Sequence, residues 1–126
     1  MGGSETVLVV EDETALLRLT TRTLEGLGYR VLPAPTPAEA LALARRHDGD
    51  IALLLTDVIM PGMTGRELAD RLREHAPDLK VLYMSGYAGH ILGHVLEPSV
   101  EVIQKPFTRT LLAARVRNAL DGRSDS

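Results

Sequence analysis

Five polar residues stand at the ends of short apolar runs and could act together. Glu11 and Asp12 follow Thr6–Val10, Asp57 closes the run from Ile51, Ser85 closes the run from Lys80, and Lys105 follows the run from Val100 to Gln104. Three carboxylates gathered within a few Å repel one another, and one takes up a proton unless a cation joins them. Oxygen-only ligands beside water suit Mg²⁺, which binds through few carboxylates plus phosphate and keeps several waters. With Lys105 and Ser85 on the other side, Asp57 would be placed to attack phosphorus, and the cation and ammonium would neutralise charge growing on the phosphoryl oxygens.

Those residues meet only if the chain folds so as to bring four strand ends together. Thr6–Val10 is continuous and rich in valine, the pattern of a strand buried on both faces of a parallel sheet. A helix is expected over residues 14–27, with Leu17, Leu24 and Leu27 on its apolar stripe and Gly28 ending it. Residues 29–32 read as a second, more exposed strand. Thr36-Pro37-Ala38-Glu39 opens a second helix with an N-cap, a proline in the first turn and a capping box. The run from Ile51 to Asp57 is the most apolar and therefore central. Thr64 to Glu67 is a second capping box, ahead of a helix carrying Leu68 and Leu72. Residues 80–85 and 100–104 give the fourth and fifth strands. Between them, residues 87–96 form a weak helix, because Gly89 and Gly93 each cost about 1 kcal/mol relative to alanine. Thr108 caps a last helix with Leu111, Leu112, Val116 and Leu120 on one side.

Strands alternating with helices argue an α/β fold, a five-stranded parallel sheet with helices on both faces and right-handed crossovers. In such sheets ligands bind beyond the carboxyl ends of the strands, where Glu11, Asp12, Asp57, Ser85 and Lys105 all fall. Taken singly, each has a plain structural alternative. Glu11-Asp12-Glu13 could cap the first helix, Asp57 could be a turn residue, and Lys105-Pro106 a surface turn.

The chain has 126 residues, the size of one domain. It has no cysteine, which excludes disulfides, thiolate metal sites and cysteine nucleophiles. Net charge is −3 and aromatic content 3%, so neither a basic patch nor a stacking surface for nucleic acid is expected. No apolar run approaches the roughly 20 residues of a membrane span, and no direct membrane contact is expected. Met1 to Thr6 matches the N-myristoylation pattern, but is read as a flexible lead-in.

The segments Val7–Glu13, Leu55–Gly65, Met84-Ser85-Gly86 and Lys105-Pro106-Phe107, in this order and spacing, resemble the receiver (response-regulator) family of two-component signalling over residues 5–121. Residues 1–4 and 122–126 are left as flexible ends. The resemblance implies the flavodoxin-like strand order 2-1-3-4-5, and a phosphorylation switch rather than a classified enzyme. It makes Asp57 the phosphoacceptor. Mg²⁺ is then bound directly by Asp12, Asp57 and the carbonyl of Ile59, and by Glu11 through water. Ser85 and Lys105 bind the phosphoryl group. Pro61 and Gly65 shape the loop after Asp57, and Pro106 follows a cis peptide bond. The signal would pass to the face formed by the weak helix, the fifth strand and the last helix. The nearest likeness is to receivers at the C-terminal end of hybrid sensor histidine kinases. That implies a kinase core or a histidine phosphotransfer protein as partner and a cytoplasmic location, and it leaves room for a weak homodimer.

Three positions depart from the commonest family pattern. Glu11 stands where aspartate is more usual, Ser85 where threonine is frequent, and Val102 where an aromatic side chain often swings as a switch. Ile59 and Tyr87 flank the site, and their bulk would limit attack by water on the acyl phosphate; packing of the loops alone is the alternative. Two other functions remain open at this point. A phosphatase of the haloacid-dehalogenase type would use a similar residue set, but needs an acid two positions after the nucleophile, where Ile59 stands. A receiver serving only as a phosphorylation-independent interaction module is the other. His90 and His94 have metal-binding spacing, but are read as exposed because no third ligand is near in sequence.

Overall fold

A computed structural model of the chain describes residues 2–86 and 101–122. Five strands, β1 (Thr6–Val10), β2 (Arg30–Ala34), β3 (Ile51–Asp57), β4 (Lys80–Ser85) and β5 (Glu101–Gln104), form one parallel sheet in the order β2-β1-β3-β4-β5. The helices among the described residues are α1 (Thr14–Gly26), α2 (Pro37–Arg46), α3 (Gly65–Arg73) and α4 (Arg109–Asp121). The expected weak helix over 87–96, with Tyr87, His90 and His94, lies outside the described residues.

Side-chain parity along the strands sorts the core into two layers. Val7 and Val9 of β1, Leu53 and Leu55 of β3, Leu82 and Met84 of β4 and Ile103 of β5 pack with Leu17 and Leu24 of α1 and Leu112 and Val116 of α4. The alternate residues Leu8, Val10, Leu54 and Tyr83 pack with Ala40 of α2 and Leu68, Ala69 and Leu72 of α3. Burial of both faces explains why β1 is apolar from Val7 to Val10.

The N-caps expected from the sequence form, although at Thr36–Glu39 the structure gives only the half of the expected box made by the threonine. The Thr36 hydroxyl accepts from the Glu39 amide at 3.1 Å with Pro37 in the first turn of α2. At α3 both halves of the box are present: Glu67 N donates to Thr64 Oγ1 at 3.1 Å, and Thr64 N donates to Glu67 Oε1 at 2.9 Å. Two details differ from the sequence reading. Strand β2 runs on to Ala34 through Pro33, which an edge strand tolerates because one side of its ladder is open. Leu111 is 39% exposed, while Ala113 and Ala119 join Leu112 and Val116 in facing the sheet.

At the amino-terminal rim, Arg117 of α4 joins distant parts of the chain. Its guanidinium donates to both carboxylate oxygens of Glu5, to Asp121 at 2.9 Å and to the carbonyl of Gly2 at 3.0 Å. Gly3 N donates to the Leu27 carbonyl at 3.2 Å. Gly28, at φ 101°, lies so near this segment that an added Cβ would meet the Gly3 oxygen at 2.5 Å.

Candidate functional site

The carboxyl ends of β1, β3, β4 and β5 place the expected polar residues on one rim. Asp57 is the last residue of β3 and is 4% exposed. Glu11, directly after β1, is fully buried, whereas Asp12 is exposed. One carboxylate oxygen from each of Glu11, Asp12 and Asp57 lies within 4.8 Å of the other two. Lys105 Nζ closes the cluster, donating to Asp57 Oδ1 at 2.7 Å and to Glu11 Oε1 at 2.9 Å.

The electrostatics follow from burial. Loss of hydration, reinforced by the neighbouring Glu11, pushes the Asp57 carboxyl up to about 8 even with Lys105 bound to it. Burial also acts on Glu11, but its hydrogen bonds with Asp57 and Lys105 outweigh it and hold that carboxyl below its ordinary value. For Lys105, burial alone would favour the neutral amine, yet the two carboxylates prevail and raise it. The rim thus carries more negative charge than one ammonium balances. An all-oxygen set of three carboxylates with an exposed member is a donor set that a hard divalent cation fits.

The loop after Asp57 is held by backbone contacts. Val58 N donates to the Met84 carbonyl at 3.0 Å, and Gly65 N donates to the Val58 carbonyl at 2.7 Å. A Cβ on Gly65 would stand 2.1 Å from the Asp57 carbonyl oxygen, so only glycine lets α3 start this close. Gly62, at φ 85°, makes the turn between Pro61 and α3. Ile59 is 49% exposed beside the site, and its neighbours Val58 and Met60 are buried.

Ser85, at the end of β4, is buried, and its carbonyl accepts from Lys105 N at 2.7 Å. The Lys105–Pro106 peptide bond is cis, as the resemblance implies. Val102 pairs with Tyr83 in the β4–β5 register and is half-buried, and its carbonyl accepts from Arg115 Nη1 at 2.8 Å. Thr56 was not singled out from sequence, yet its buried hydroxyl donates to the Asp57 carbonyl at 3.1 Å and lies 3.8 Å from Met60 Sδ. The signal for it is a hydroxyl interrupting the apolar run of β3 one residue before the acid.

The helix-cap alternative for Glu11 to Glu13 holds only in one contact, made by Glu11. Glu13 occupies the N-cap of α1 without a side-chain bond, and its amide donates instead to Glu11 Oε2 at 3.3 Å. A cleft of about 1130 Å³ opens at the opposite rim between the ends of α2 and α3, with His47 and His75 in its lining. Among the described residues, the acidic cluster lies at the carboxyl rim and not there.

Comparison with known proteins agrees with this geometry. The response regulator receiver domain family matches residues 7–117. The sensor kinase CckA of Brucella abortus is 36% identical over 123 residues, which is 96% of this chain but 13% of that protein. The response regulator receiver protein CpdR of the same organism is 36% identical over 103 residues, covering 80% of this chain and 84% of that one. Among solved structures, the receiver domain of the hybrid histidine kinase CckA superposes with a TM-score of 0.78 at 37% identity, over 91% of this chain and 98% of that one. A response regulator receiver protein from Sinorhizobium medicae gives 0.82 at 27% identity, over 96% and 98%. No helix among the described residues is long and apolar enough to cross a membrane. The chain belongs to the response regulator receiver domain family, and its relatives include the receiver of a hybrid sensor kinase.

Proposed function

We propose that this chain is a phosphoacceptor receiver in which Asp57 takes a phosphoryl group from a phosphohistidine of a partner protein. The observation that carries the reading is the contact of Lys105 Nζ with Asp57 Oδ1 at 2.7 Å, inside a cluster of three carboxylates. An oxygen of Asp57 attacks phosphorus, the phosphorus–nitrogen bond of the donor imidazole breaks, and the released nitrogen takes up a proton. Lys105, already beside the acceptor, then faces the new phosphoryl oxygens, with the Ser85 hydroxyl as a further donor. Asp12, Asp57 and the Ile59 carbonyl would hold Mg²⁺, with Glu11 contributing through water. Bound there, the ion supplies the positive charge that offsets the extra negative charge of the phosphoryl oxygens.

The added charge, roughly two negative units, draws on Ser85 and Lys105 and biases the segment after β4 together with β5 and α4. The partner is a histidine kinase core or a histidine phosphotransfer protein, a reading supported by the likeness to a hybrid kinase receiver. An exposed isoleucine two residues after Asp57 speaks against a haloacid-dehalogenase-type phosphatase, which needs an acid there.

Intact-mass measurement with acetyl phosphate tests the reading. We expect one added phosphate in wild type with Mg²⁺, and none without Mg²⁺ or in Asp57→Asn. Equal labelling of Asp57→Asn would defeat it, and a wild type that never takes label would favour the interaction module.

A further inference from the structure

Resting on that reading, we infer that Thr56 is a positioning residue: its buried hydroxyl fixes the backbone from Asp57 to Met60, and with it the Ile59 carbonyl that the proposed function gives to the cation. Thr56 stands inside β3, fully buried, with Leu54, Leu55 and Val58 as buried neighbours along the chain. A hydroxyl in such a place costs free energy unless it is bonded, and valine has nearly the same shape without that cost.

Three contacts of this one side chain converge on the loop after the strand. Thr56 Oγ1 donates to the Asp57 carbonyl at 3.1 Å. The same oxygen lies 3.8 Å from Met60 Sδ. Thr56 Cγ2 lies 3.1 Å from where a Cβ on Gly65 would stand, so its methyl packs against the first residue of α3. The peptide unit joining Asp57 to Val58 is thereby held at both ends, because Val58 N donates to the Met84 carbonyl at 3.0 Å. The Val58 carbonyl is held next, by Gly65 N at 2.7 Å, and Met60 is buried in the core layer shared with α3. Ile59 lies between these fixed neighbours, and its own side chain is too exposed to set its backbone. Mg²⁺ demands near-octahedral ligands at about 2.1 Å, so a carbonyl that serves it has to be held without tilt.

Amide exchange in the metal-free protein supplies the first test. In Thr56→Val, and in Thr56→Ala as a second variant, exchange at Val58 and Gly65 should quicken about fivefold or more relative to Val9 in β1, the scale of one lost hydrogen bond. Thr56→Ser keeps the hydroxyl and should stay close to wild type. Unchanged exchange in the valine and alanine variants overturns the inference. So does an equal quickening in Thr56→Ser, which places the effect in the packing of the methyl. Titration with Mg²⁺ alone, followed by amide shifts, supplies the second test. Thr56→Val and Thr56→Ala should weaken binding about tenfold or more, and Thr56→Ser by less than about threefold, on the scale of outer-sphere contacts to a metal site. Wild-type affinity in both the valine and alanine variants also overturns the inference. A wild type with no Mg²⁺ response instead defeats the phosphoacceptor reading, while amide exchange still decides the role of Thr56.

Discussion

Lys105 and Asp57, 48 positions apart in the chain, meet at 2.7 Å because each stands at the carboxyl end of a strand, with β4 between them. The ammonium does not neutralise the rim: Glu11 claims it as well, and the buried Asp57 carboxyl keeps its proton up to about 8.

A pH dependence with a defined sign follows. The unfolded chain releases the Asp57 proton near the ordinary value of 3.8, whereas the folded metal-free protein holds it to about 8. Between those values the folded state binds more protons, so this group's contribution to stability is full below 3.8 and is lost as pH rises towards 8. Asp57→Asn removes the effect. Thermal melts in EDTA should show the mutant close to wild type at pH 4 and more stable by about 1–3 kcal/mol at pH 8. Mg²⁺ should narrow that gap by stabilising wild type alone. A gap that shrinks with rising pH would contradict this account.

Gly65→Ala should damage the site through the backbone. Its Cβ would enter at 2.1 Å from the Asp57 carbonyl oxygen and 3.1 Å from Thr56 Cγ2, and neither atom can yield without moving the end of β3. Denaturant unfolding should show a loss of about 2 kcal/mol or more, with slower labelling by acetyl phosphate. Alanine elsewhere in α3, for instance Asp70→Ala, should cost little.

Arg117→Met should weaken the amino-terminal rim in a pH-dependent way. Hydrogen bonding by Arg117 holds the Glu5 carboxyl below its ordinary value of 4.5. The contribution of that carboxylate is therefore present above 4.5 and lost as pH falls through its lower folded value. Melting temperature should drop by about 3–6 °C at pH 7, with the difference closing in acid. Amide exchange should also speed up at Gly3, whose partner is the Leu27 carbonyl.

Ile59→Asn should shorten the life of the phosphorylated state. Ile59 is 49% exposed two residues after Asp57, and its bulk is taken to limit attack by water on the acyl phosphate. Replacement by an amide that can orient water should raise the dephosphorylation rate several-fold, read as decay of the intact-mass signal. An unchanged rate would leave Ile59 as loop packing.

Much of this was legible in the sequence because local rules and the global fold agree. Strands β3 and β4 and the start of α3 fall where apolar runs and the Thr64–Glu67 box put them, and sheet geometry alone then gathers Asp12, Asp57, Ser85 and Lys105. The parts that escaped are contacts without a periodic trace. Pro33 reads as a breaker, yet an edge strand accommodates it. Leu111 fits the apolar stripe by type, but the crossing of α4 over the sheet presents Ala113 and Ala119 instead. The bond from Lys105 to Glu11 spans 94 positions, which no local pattern encodes.

The Arg117 knot has a practical corollary for how such a unit can be wired into larger machines. It binds Gly2 and Asp121 to each other at the strands' starting edge, one strand length of about 16 Å from the reactive mouth. Polypeptide spliced on at either side would depart from that far edge. The points of attachment and the mouth that receives a donor therefore stand at opposite ends of the sheet.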